Sequence, residues 1–180
     1  MAITETDITL LTGLYRDVLT GQDGELLWDS GQQKNLIVAN CRVLLASFMR
    51  GTPPALGIQS LKVGSGLAAW DTLPAPPATS QTAMVDPNPY TMAVAQLQFA
   101  YLNALNGAPV PGPTNILQIR ATFGPGLPTW PDANHPTSTL REFGLFGKLN
   151  GADWMINSVR HPAIVKHQVS TLTRTLWLVF

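Results

Sequence analysis

The amino-acid sequence predicts a mainly β protein: an antiparallel β-sandwich or barrel-like domain with one packed α-helix and long proline-rich loops. Three observations carry that expectation. Several short segments alternate apolar and polar residues, the period of a half-buried strand. Only the segment from Asn35 to Arg50 convincingly spaces its apolar residues by three and four. The chain's 15 prolines gather largely in three stretches, at about 71–90, 107–113 and 124–136. Strands do not alternate regularly with helices, so a doubly wound α/β sheet is not expected.

The clearest strands lie late in the chain. Leu117, Ile119, Ala121 and Phe123 share one face, with Gln118, Arg120 and Thr122 on the other. Leu172, Leu176, Leu178 and Phe180 oppose Thr171, Thr173, Thr175, Trp177 and Val179. Threonine suits this pattern because β-branched side chains fit a pleated surface. The last residues are apolar to the end, which predicts an ordered, buried final strand. Shorter strands are expected at 14–19, 25–28, 58–63, 142–146 and 154–159. The first two are joined through Asp23-Gly24, a hairpin pair. The segment 91–103 fits a helix or a strand and is read as strand, because Leu97, Phe99 and Tyr101 alternate.

For the helix, Asn35 is the expected cap and Leu36, Ile37, Cys41, Leu44, Leu45 and Phe48 the buried stripe. Arg50 belongs in its last turn, and Gly51 and Pro53 stop it. The prolines fix φ and lack a donor, so the three proline-rich stretches cannot be central strands. They are expected as stiff, extended surface loops.

A chain of 180 residues is one domain, 1–180, large enough to bury about 70% of its unfolded surface. Eleven basic and eleven acidic residues cancel, and charged residues are 12% of the chain against about 25% in ordinary soluble domains. Nucleic-acid binding needs a clustered cationic excess, which is missing. No apolar run is long enough to span a membrane, and the first ten residues lack a signal-peptide pattern. Cys41 is alone, so neither an intrachain disulfide nor a cysteine zinc site is expected. Zero net charge promotes association, so such a surface suits a subunit packed against neighbours.

The residue types that carry chemistry are present but not in productive patterns. Gly64-Ser65-Gly66 lacks the lysine and third glycine of phosphate cradles and is read as a turn. His135, His161 and His167 are not at metal-ligand spacing. Asp153, Ser158 and His161 form a nominal triad, but no nucleophile-elbow glycines surround Ser158. We therefore expect no catalytic residue, no metal site and no cofactor. Trp28, Trp154 and Trp177 lie on strands and are expected in the core. Trp70 and Trp130 stand in or beside proline loops, where an indole could enter a partner subunit or stack on a sugar ring. The interface candidates are Trp70, Pro76, Pro77, Tyr90, Pro111, Trp130 and Phe180.

Four segments occur in a recognisable order: Asn35-Leu36-Ile37-Val38; Val63-Gly64-Ser65-Gly66 with Asp71-Thr72-Leu73; Arg141-Glu142-Phe143-Gly144-Leu145-Phe146; and Val159 to Lys166 leading to Leu176-Trp177-Leu178-Val179-Phe180. In that order, over about Trp28 to Phe180, the chain resembles structural proteins of tailed bacteriophages that attach to the neck, tail or baseplate. The same pattern is seen in collar proteins, in virion-proximal domains of tail fibres and in contractile injection systems. The resemblance implies a non-enzymatic, β-rich virion subunit, made in the host cytoplasm. Its implied partners are copies of itself in a ring and other tail, neck or fibre proteins, with neither nucleic acid nor membrane. The stretch from Leu73 to Pro89 is longer than the resemblance leads one to expect, and no fibre-like repeat follows Phe180. A neck or baseplate piece is therefore expected rather than a complete receptor-binding fibre. The alternative is a carbohydrate-binding β-sandwich that uses Trp70 or Trp130 on a host surface.

Overall fold

The computed structural model describes residues 11–51 and 54–180. Pro53, the expected helix stop, and the first ten residues lie outside them. The elements run β1 (Thr12–Thr20), β2 (Leu26–Asp29), β3 (Gln33–Ile37), α1 (Ala39–Arg50), β4 (Ala55–Gly64), β5 (Tyr90–Ala93), β6 (Gln98–Leu102), β7 (Pro109–Val110), β8 (Ile116–Phe123), β9 (Thr139–Leu149), β10 (Ala152–Met155), β11 (Asn157–Val165) and β12 (Thr171–Val179). The fold is mainly β, an antiparallel sheet with one α-helix among the described residues.

The strands are hydrogen-bonded in the order β5-β4-β9-β11-β3-β1-β12-β8-β6-β7, with β10 added to β9 and β2 to β1. The sheet is rolled so that its two halves face each other. Tyr15 of β1 meets Phe143 of β9 edge-on at 5.1 Å, although two strands separate them in the sheet. Tyr90 of β5 likewise meets Phe123 of β8 at 6.1 Å. Between the halves, Leu61, Val63, Phe143 and Leu145 pack with Ile119, Phe123, Leu172 and Leu176, all fully buried. Each such side chain contributes about 1.5–3 kcal/mol relative to an exposed one. The alternation in β8 and β12 is as the sequence predicts, with Ile119, Ala121 and Phe123 inward opposite Leu176, Arg174 and Leu172.

β9 is buried on both faces, because α1 and the proline-rich chain before β5 cover the side turned away from the core. There Val38, Phe146 and Met155 form a second apolar cluster, with Met84 packed against it. Gly147 of β9 permits this layer. A Cβ there would sit 2.5 Å from Cδ2 of Leu44 and 2.9 Å from the carbonyls of Leu56 and Gly57.

The helix begins later than its pattern suggests. Asn35, Leu36 and Ile37 belong to β3, which bridges β1 and β11. Asn35 donates its side-chain N–H to the Leu14 carbonyl at 3.3 Å instead of capping, and Val38 is the N-cap without a side-chain bond. Strand pairing takes up 33–35 against β1 and 36–37 against β11, which outweighs the local helical spacing. The buried stripe is consequently Cys41 and Leu44, while Phe48 is 41% exposed. Gly51 closes the helix in the left-handed region at φ 69°, its N–H donating to the Phe48 and Ser47 carbonyls. The segment 91–103 contributes β5 and β6 around a short 3-10 turn, so the strand reading holds.

Two of the strand tryptophans are not core. Trp28 lies on β2 and is 41% exposed, and Trp177 is half-buried on the outer face of β12. Trp154 is half-buried and packs against the core.

Candidate assembly surface and the networks that frame it

The proline loops do not hang free. Arg160 of β11 reaches under the 71–90 loop, donating to the carbonyls of Ala75 at 3.3 Å and Pro76 at 3.4 Å and to Oε1 of Gln81 at 3.1 Å. Its guanidinium also lies 4.6 Å from the centre of the Trp70 ring. Arg141 pairs with Asp71 and donates to the Ser65 carbonyl at 2.9 Å. The Thr79 carbonyl accepts from Ala39 at the start of α1. The expectation of an extended arm is therefore corrected for this loop: two arginines and the helix start hold it against the sheet.

A buried polar network fixes the 124–136 loop. Asp86 Oδ2 accepts from the Ser65 N–H at 2.7 Å and hydroxyl at 3.0 Å, and faces His135 Nε2 at 3.1 Å. His135 Nδ1 faces Asp132 at 2.9 Å, and its ring stacks on Trp130 at 3.8 Å. The Trp130 carbonyl accepts from Ser138 Oγ at 2.7 Å and Gln168 Nε2 at 2.6 Å. Glu142 accepts from the backbone N–H groups of Asp86 at 2.6 Å and Val85 at 3.1 Å. Burial raises the Glu142 pKa against the pull of those two donors. Burial also acts on Asp86, but the donors from Ser65 and Asn88 and the nearby His135 outweigh it and hold that carboxyl below its usual range. These groups anchor loops to one another, and their hydrogen-bonding capacity is spent in doing so.

A third network lies in the centre of the roll. Arg174 and Asp17 face each other across β12 and β1, both with no exposed surface. Two parallel bonds, Nε to Oδ1 at 2.7 Å and Nη2 to Oδ2 at 2.6 Å, join them. The guanidinium sits 3.7 Å from the Phe143 ring centre, and Nη2 lies 3.2 Å from His161 Nε2. Burial, then the Arg174 charge, pushes the His161 pKa down to about 4. The Asp153–Ser158–His161 triad is not assembled. Asp153 pairs with Lys62 at 2.7 Å, while His161 belongs to Arg174. Among the described residues, no group of three or more His, Cys, Asp or Glu is arranged to hold a metal ion. Nor is any helix there long and apolar enough to cross a membrane.

The interface candidates divide sharply. Trp70 is 5% exposed and Trp130 2%, packed under their own loops by Arg160 and His135. Burial therefore corrects the expectation that either indole anchors a partner or stacks on a sugar from the surface of this chain. Tyr90 is half-buried against Phe123, and Pro77 is half-buried in its loop. Pro76, Pro111 and Phe180 are exposed.

An open apolar row along β6 was not in that set as a group. The register puts Phe99 opposite Ile119 and Tyr101 opposite Leu117, which in turn faces Leu178. This continues the core's inner face outward along β6. Ile119 and Leu178 are buried, yet Phe99 is 43% and Tyr101 37% exposed. Phe180, next in the alternation after Leu178, is 53% exposed, and Leu105 at the tip of the β6–β7 hairpin is 96% exposed. Pro109 opens β7 and Pro111 follows it, and both are exposed, so the 107–113 stretch lies on the surface. Comparison of the chain with family models, curated proteins and solved structures found no match.

Proposed function

We propose that this chain is a non-enzymatic structural subunit of a tailed-bacteriophage particle. It forms or decorates the neck, tail or baseplate, touching copies of itself and neighbouring tail or fibre proteins. The observation that carries the reading is the row of Phe99, Tyr101 and Phe180, which extends a core face into solvent beside the Leu105 tip. Aromatic side chains are enriched at interface centres, and covering them removes apolar area from water at about 25 cal/mol per Å². The chain's 12% charged content supports the reading, since few ions must be desolvated on contact. The pinned loops support it too. A subunit held in a ring benefits from loops already ordered before contact, because less entropy is lost on binding. The order of the sequence segments supplies the phage assignment. Light scattering on the purified chain, with electron microscopy of particles that contain it, tests the proposal. A mass that is a multiple of the 19.4 kDa chain and density for the chain in a tail or neck are expected. A chain that stays monomeric and never enters a particle would overturn it.

A further inference from the structure

We propose that a pocket walled by Trp28 and lined by Tyr15 and Gln33 binds an uncharged pyranose sugar. The pocket, about 320 Å³, opens between β1, the corner at residues 28–33 and Pro162 of β11. Small-molecule sites span roughly 300–1,000 Å³, so this one suits a single ring. It is distinct from the Phe99 edge and from the loops that bury Trp70 and Trp130.

The wall is an aromatic side chain left open by the topology. Among the described residues β2 pairs with β1 alone, and Trp28 lies opposite Leu19 on the inner side of the sheet. Among the described residues no further strand continues that side of the sheet, and the indole is 41% exposed. An aromatic ring in that position can cover the apolar C–H face of a sugar ring.

Charge selects a neutral ligand. The two carboxylates at the pocket each have an arginine of their own: Asp17 pairs with Arg174 and Asp29 with Arg16. His161 uses Nδ1 on the Pro162 carbonyl at 2.8 Å, so Nε2 is its acceptor for Arg174 and the ring is neutral. An ionic ligand would give up hydration without meeting an unpaired counter-charge.

Open hydrogen-bonding capacity selects hydroxyl groups. Gln33 spends Nε2 on the Ser30 carbonyl at 2.9 Å, leaving Oε1 without a partner among the described residues. The Tyr15 hydroxyl has no partner among them either. Ser30 Oγ accepts from the Asp17 N–H and donates to the Gly31 carbonyl. What remains is an amide acceptor and a phenol able to donate or accept. A ring bearing several hydroxyls matches both and also presents an apolar C–H face to the indole, with its hydroxyls directed around that face, whereas a nucleobase keeps its few polar groups at fixed points in the plane of its ring.

The test is a titration of the ¹⁵N-labelled full chain, followed by NMR, with D-glucose, D-galactose and N-acetylglucosamine, and with adenosine as the flat-ring contrast. At least one sugar should produce saturable shifts at the Trp28 indole N–H and the Gln33 side-chain amide, and adenosine should produce none. Trp28→Ala should abolish saturation, and Gln33→Ala should weaken binding by about tenfold or less, the worth of one hydrogen bond. Gln33 lies at the start of β3 and is exposed, so this second variant keeps the test open if Trp28→Ala does not fold. No saturable shift with any of the three sugars would overturn the proposal, as would binding that survives both substitutions or adenosine binding as tightly. The result is read separately from oligomeric mass, so it stands or falls independently of the assembly reading.

Discussion

Replacing Arg174 with methionine should destabilise the protein severely, while replacing Asp17 and Arg174 together should not. Both side chains have no exposed surface and are joined by bonds of 2.7 and 2.6 Å. Methionine keeps much of the packing over Phe143, whose ring centre lies 3.7 Å from the guanidinium, but leaves Asp17 buried without a counter-charge. Removing one partner of a buried pair costs about 3–5 kcal/mol. In a chain of this length each kcal/mol moves the melting temperature by about 2–4 °C, giving a drop of roughly 6–20 °C. The pair Asp17→Leu with Arg174→Met removes both charges together. Such replacements are near neutral or stabilising by about 1–4 kcal/mol, reduced here by about 1 kcal/mol because His161 Nε2 loses its donor. Thermal and urea unfolding followed by tryptophan fluorescence gives both values. A single variant within about 1 kcal/mol of wild type, or a double variant as damaged as the single one, would refute the reasoning.

The His161 pKa of about 4 lies below its unfolded value of 6.5, so the folded state prefers the neutral ring. Its contribution is complete above pH 6.5 and is lost as pH falls toward 4, by up to about 3 kcal/mol. Urea midpoints across that window should decline in wild type and flatten in His161→Gln; parallel curves would contradict the assignment. In α1, Leu44→Ala should cost about 2–5 kcal/mol and Phe48→Ala under about 1, because Leu44 is 3% and Phe48 41% exposed. Equal losses in calorimetry would mean the helix is docked on a different face. Deleting residues 176–180 removes the end of β12, which pairs with both β1 and β8, and should abolish soluble folded protein. A truncated chain with native circular dichroism would disprove that.

The sheet was legible because its signal is local. The period-two pattern at 117–123 and 172–178 needs nothing beyond the strand's own pleat. The same pattern placed position 174 inward, between Leu172 and Leu176, although Arg174 was not singled out. Its partner Asp17 is 157 residues away, and charge type alone does not disclose such a pairing. The helix start was misplaced because Leu36 and Ile37 suit either period, and only pairing with β1 and β11 decides between them. Trp70 and Trp130 looked accessible beside their prolines. What buries them comes partly from elsewhere, Arg160 from β11 and Gln168 beyond it. The open row at Phe99 and Tyr101 was visible as alternation, but its exposure depends on where the facing half of the roll ends.

The central claim is that this apolar edge is a contact between subunits, and sedimentation of wild type against Phe99→Asp tests it most directly. The account predicts a concentration-dependent oligomer for wild type and a folded 19.4 kDa monomer for the variant, since a carboxylate at that position must lose its water to join the contact. Equal masses for the two folded proteins would contradict it.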